Sequence, residues 1–282
     1  MKTGISSNAY TAPYGVEKGF YMMREHGYEC ADWQDICNVN TDFFKLPERE
    51  FEKASRKFKA EAAKNGIMIN QAHGPWGGPE DDFTEESRKI KYENVKKAIR
   101  GSAYVECPNF VIHNVMPFGW SDCGRKEEVY AMNTEFFNKT VEYAKEYGVT
   151  VCLENMPMAE QYLARPADML AFVRSFEKDN FRMCLDTGHC AVHGISPADS
   201  VRLLGKEYLK VLHVHDNNGV SDLHWLPYTG VIDWADFTAA LLQIGFDGCL
   251  SLETHVGSMP LGEERDRKER ELARVAMKLA GR

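Results

Sequence analysis

The stretch Phe181-Arg182-Met183-Cys184-Leu185-Asp186-Thr187-Gly188-His189 decides how the chain is read. Residues 181–185 form an apolar run of strand length, and a carboxylate and an imidazole follow directly behind it. Charged groups at the mouth of a buried strand are costly unless a metal, a substrate or one another satisfies them.

Working outward, the same arrangement recurs. Strand candidates fall at 4–8, 28–31, 67–69, 110–112, 149–153, 181–185, 208–212 and 249–252. Helical patterns lie between and after them at 15–26, 46–64, 84–101, 127–147, 166–176, 197–204, 234–244 and 263–279. Gly27, Gly66 and Gly148 stand where helix C-termini are expected, and Thr84 stands at an N-cap. Strand–helix alternation demands parallel strands joined by right-handed crossovers. An open doubly wound sheet gathers its polar groups at one switch point. Here polar residues follow six strands, at positions 73, 113, 154, 186, 213 and 253. A closed barrel brings that many strand ends together. The expectation is a single (β/α)8 TIM barrel over residues 1–282, with its site at the C-terminal face of the strands.

Composition narrows the function. With 34 basic and 42 acidic residues the net charge is −8, and no basic tract offsets it, which argues against a nucleic-acid partner. The first ten residues lack the apolar segment of a signal peptide, and no run reaches membrane-spanning length. The eight cysteines form no C-x-x-C pair, and Cys152, Cys184 and Cys249 sit inside apolar runs, so reduced thiols in a cytoplasmic protein are expected.

Glu154, Asp186, His213 and Glu253 follow their strands at the same point. Three carboxylates that close repel one another unless a cation joins them, and a divalent ion uses such oxygen and nitrogen donors well. The carboxylate-rich set suits Mn²⁺ first, then Mg²⁺; added histidines turn the choice towards Zn²⁺ or Co²⁺. Alternation along a strand lets both His213 and His215 face inward, so either imidazole qualifies as the ligand. Trp33, Trp76, Phe118, Trp120 and Trp225 fall in expected βα loops, where an aromatic ring stacks on a sugar or packs the loop. Asn155 is expected to donate to a ligand carboxylate. His193 and His255 read as structural or surface residues.

Leu153-Glu154-Asn155, Leu185-Asp186-Thr187-Gly188-His189, His213-Val214-His215-Asp216-Asn217 and Leu252-Glu253 resemble the successive strand-end motifs of the xylose-isomerase-like TIM barrels. That superfamily holds sugar isomerases and epimerases, inosose dehydratase and endonuclease IV. Resemblance to its ketose 3-epimerases implies Glu154, Asp186, His213 and Glu253 as metal ligands, with Glu154 and Glu253 also the catalytic acid/base pair. It further implies Glu160 and His189 as substrate-binding residues. The chain departs from that pattern after the metal histidine, where Asp216-Asn217-Asn218-Gly219 replaces a Gly-Glu segment and no arginine is near. Resemblance to endonuclease IV implies a second ligand set that adds His73, His113, His189, Asp222 and His224, and its spacing favours His213 over His215. Otherwise those residues line a polar sugar pocket, together with His215, Trp76 and Trp120.

The function expected is therefore a divalent-metal-dependent isomerase or epimerase of a small ketose, sugar phosphate or related polyol ketone. Proton transfer by glutamate would pass through a metal-stabilised enediolate. An inosose-type dehydratase, a multinuclear zinc phosphoesterase and a non-catalytic sugar-binding subunit are the alternatives. A small-molecule sugar is the partner expected, with a homo-oligomer compatible with the chain and no membrane partner.

Overall fold

Inward-facing strand residues are small below and polar above, and this gradient along the barrel axis places the site. The computed structural model describes residues 1–254, 256 and 259–282; His255 lies outside the described residues. The elements run β1 (Lys2–Ser6), α1 (Asn8–Tyr14), α2 (Val16–His26), β2 (Cys30–Trp33), α3 (Asp42–Lys45), α4 (Glu48–Lys64), β3 (Met68–His73), α5 (Glu85–Tyr104), β4 (Asn109–Ile112) and α6 (Lys126–Glu146). The second half continues β5 (Thr150–Glu154), α7 (Pro166–Arg174), β6 (Phe181–Asp186), α8 (Thr187–Val192), α9 (Pro197–Tyr208), β7 (Leu209–His213), α10 (Trp234–Gln243), β8 (Cys249–Leu252) and α11 (Glu263–Leu279). All eight strands are parallel, in the order β7-β6-β5-β4-β3-β2-β1-β8. The barrel closes between β7 and β8 through a short bridge: the Val214 amide donates to the Ser251 carbonyl at 2.9 Å and the Glu253 amide to the Val214 carbonyl at 3.1 Å. This seam sets His213 beside Glu253.

Strand side chains alternate, so residues two apart share a face. Val111, Cys152, Cys184 and Val211 pack together as a small buried cluster inside the barrel. Two residues further along each strand stand His113, Glu154, Asp186 and His213. Leu153, Leu185 and Leu212, one position off, belong instead to the large core between strands and helices. The cysteines of these strands act as small apolar fillers, and all eight are free thiols.

Expected and observed elements agree closely; the short helix α3 is additional, β3 runs on to His73, and three further differences have a local cause. Residues 8–14 form α1 rather than a loop; the helix is short and carries Pro13, so its pattern is faint. β2 extends two residues beyond its apolar run to Trp33, which is fully buried against Phe43 and Phe58 and has no access to a ligand. A six-residue helix, α8, begins at Thr187 because the Asp186 side chain caps it, accepting from the His189 amide at 2.6 Å. Among the described residues no helix is long and apolar enough to cross a membrane.

Candidate metal centre

The strand ends meet in a cavity of about 420 Å³ at the C-terminal face of the barrel. Glu154 is the hub. Its Oε1 lies 2.6 Å from His213 Nδ1, and its Oε2 lies 3.1 Å from His113 Nε2 and 3.4 Å from His73 Nε2. Glu253 Oε2 is 3.4 Å from the same His213 nitrogen. Asp186 Oδ2 faces His215 Nε2 at 2.9 Å.

A second knot forms beside the first. Asp222 Oδ2 sits 3.2 Å from His189 Nε2 and 3.3 Å from His224 Nε2, with Oδ1 3.8 Å from His215 Nε2. The His215 and His224 rings stack with centroids 3.9 Å apart. His189 Nδ1 is fixed by the Asn155 carbonyl at 2.7 Å, and His224 Nδ1 by the Glu253 carbonyl at 2.7 Å.

The donors therefore fall into adjacent groups whose ligand atoms lie within 4.8 Å of one another: Glu154, Asp186, His213 and Glu253; His73, His113 and Glu154; His189, His215, Asp222 and His224. Each mixes carboxylate oxygen with imidazole nitrogen, the chemistry divalent cations take, and no lysine or arginine lines the cavity among the described residues. The residues fit a metal.

Electrostatics divide the two glutamates. Burial opposes ionisation of Glu154, but His213, His113 and His73 hold its carboxyl well below the usual range. Burial raises Glu253, and Glu154 and Asp186 reinforce that against the opposing pull of His213. Burial pushes His113 down to about 4. Burial alone would lower His189 and His224 too, yet Asp186 and Asp222 lift His189 to about 10, and Asp222 with Glu253 lifts His224 to about 9.

The structure brings Glu154, Asp186, His213, Glu253, His73, His113, His189, His215, Asp222 and His224 together. Trp76 lines the cavity with its ring edge-on to His113 at 4.6 Å, and Trp120 stands at the mouth. Glu160 is not brought there: it is exposed and does not line the cavity, and its carbonyl accepts the Asp122 amide. Phe118 lies under Arg125 and Trp225 bridges to Asp216; neither lines the cavity. Asn155 clasps the Asp186 backbone rather than a carboxylate, donating to its carbonyl at 3.0 Å and accepting from its amide at 2.8 Å. Asp216 anchors the following loop through the Gly230 amide and Trp234 Nε1.

Sequence reasoning passed over the contribution of β2. Asp32 lies 3.1 Å from His213 Nε2, and Gln34 Nε2 is 3.3 Å from Glu253 Oε1. Asp32 carried the same signal as the others, an acid directly behind an apolar run.

A parallel eight-stranded barrel with acid and imidazole donors converging on its C-terminal mouth defines a TIM barrel with a candidate metal centre. The chain belongs to the xylose isomerase-like TIM barrel family, whose model matches residues 20–278. It is similar to an uncharacterized protein of Methanocaldococcus jannaschii (27% identical, covering 90% of this chain and 83% of the relative). It is also similar to a D-psicose 3-epimerase of Ruminiclostridium cellulolyticum (25% identical, 71% of this chain and 68% of the relative). The crystal structure of a D-psicose 3-epimerase in the presence of D-fructose shares the fold, with a TM-score of 0.77 at 21% identity over 99% of this chain and 98% of that one.

Proposed function

We propose that this protein is a divalent-metal-dependent isomerase or epimerase of a small ketose or related polyol ketone, with Mn²⁺ the preferred ion. One observation carries the reading: Glu154 and Glu253 approach one imidazole from two strands, and both line the same cavity. The similarity to a D-psicose 3-epimerase supports it. Glu154, Asp186, His213 and Glu253 would hold the ion, which would supply polarisation of the ketose carbonyl and acidify the adjacent C–H. One glutamate removes that proton and the other returns one to the opposite face of the carbon. Trp76 and Met158 form an apolar wall for the ring. Glu154→Gln and Glu253→Gln are each expected to abolish exchange of solvent deuterium into fructose or psicose while the barrel stays folded by circular dichroism. Normal exchange in both variants overturns the mechanism.

The complete set of nitrogen and oxygen donors around Asp222 supports a second reading, a multinuclear zinc phosphoesterase. Elemental analysis of protein purified without chelators separates the two. One Mn or Co per chain supports the isomerase; about three Zn per chain with phosphate release from a phosphoester supports the hydrolase.

A further inference from the structure

His213 offers a metal only one nitrogen. Nδ1 faces Glu154 and Glu253, while Nε2 faces Asp32 Oδ2, 3.1 Å away. A neutral imidazole carries its proton on one nitrogen and its lone pair on the other, so ligation through Nδ1 requires the proton on Nε2. Asp32 is the acceptor for that proton. The neighbouring Leu212 carbonyl already accepts from Gln71 Nε2 at 3.2 Å.

We infer that Asp32 is a positioning residue of the metal centre, accepting the Nε2 proton of His213 so that Nδ1 is left to ligate. The inference rests on the metal-binding part of the proposed function, not on the substrate. Asp32 is itself held in place: Gln71 Nε2 donates to the same oxygen at 3.3 Å, and Gln34 Nε2 lies 3.5 Å from it. Gln34, directly after β2, also reaches Glu253, so this strand end ties two of the four donor residues to one carboxylate. Asp32 is 1% exposed and its Oδ1 has no partner, a costly setting for a carboxylate. Packing alone would be served more cheaply by an apolar residue. Its geometry is that of a carboxylate–imidazole–metal relay, in which an outer carboxylate fixes ring orientation and tautomer and raises ligand basicity.

The test is Mn²⁺ binding to chelator-treated protein, read from the loss of the free-ion EPR signal, which needs no turnover. Asp32→Leu is expected to weaken binding by about 10–100-fold, and Asp32→Asn, which keeps a weaker acceptor, by less. In a His213→Ala background Asp32→Leu is expected to add nothing further. A mere packing role predicts a lower melting temperature with affinity unchanged, or the same loss with and without His213; either result overturns the inference. If Asp32→Leu does not fold, Asp32→Asn decides alone, since it keeps the size of the side chain: unchanged affinity there also overturns it. Failure of the isomerase reading shows differently, as inactivity on ketoses in a wild-type protein that binds Mn²⁺ normally.

Discussion

Gly188 has no room for a side chain, and replacing it by alanine tests how the second donor knot is packed. A Cβ there would lie 2.0 Å from His215 Cε1 and 2.4 Å from its Nδ1. By helix propensity alone alanine would stabilise α8 by up to about 1 kcal/mol. The clash reverses that sign, because the imidazole must retreat from 2.0 Å to an ordinary contact of 3.4 Å or more. Retreat costs His215 its 2.9 Å contact with Asp186 and its stack on His224. Overpacking contributes about 1–3 kcal/mol, and a buried carboxylate deprived of a partner about 1–3 kcal/mol more. Net of the helix gain, a combined loss of about 2–5 kcal/mol lowers the melting temperature by roughly 3–9 °C in a domain of this size. Differential scanning calorimetry measures the shift, and elemental analysis of the same sample measures any change in metal content that disturbing the candidate His189–His215–Asp222–His224 group brings. Gly188→Ala in a His215→Ala background should cost nothing further. A shift within about 2 °C with metal content unchanged refutes the packing argument.

Asp82 and Lys91 form a buried ion pair, both carboxylate oxygens 2.8 Å from Nζ, and Asp82 also accepts the Met116 amide at 2.8 Å. Asp82→Ala strands the ammonium and should cost about 3–5 kcal/mol in urea unfolding, most of it recovered by adding Lys91→Met; additive losses would contradict this. Asp35 is pushed up to about 6 by burial, against hydrogen bonds including one from Ser7. A raised carboxyl favours folding while protonated, below the unfolded value, and loses that contribution as pH rises through about 6. Asp35→Asn should therefore raise stability by about 1–3 kcal/mol at pH 8 and change it little at pH 4; an equal effect at both pH values sinks the assignment. Because carboxylate neighbours lift His189 to about 10 and His224 to about 9, Zn²⁺ ligation by these two imidazoles at pH 7.5 should release about two protons, seen as a dependence of calorimetric binding heat on buffer ionisation enthalpy; no dependence contradicts it.

The alternation of apolar runs and helical patterns determined the barrel from sequence, because parallel strands joined by helices have few ways to bury both faces. Placing Glu154, Asp186, His213 and Glu253 at one mouth needed only their common position behind each strand. Tertiary structure decided what each group touches. Register across β6, β7 and the closing seam with β8 turned His213 towards the glutamates and His215 towards Asp186 and Asp222, a choice that alternation along one strand cannot make. Trp33 and Glu160 show the converse: residues at the right sequence position are carried into the core or away from the cavity by packing. The role of Gly188 was invisible without the ring that occupies its missing side chain. Local pattern fixes which face a residue takes on its own element; which partner it meets depends on contacts far apart in sequence, such as Asp32 with His213, and these exist only once the barrel closes.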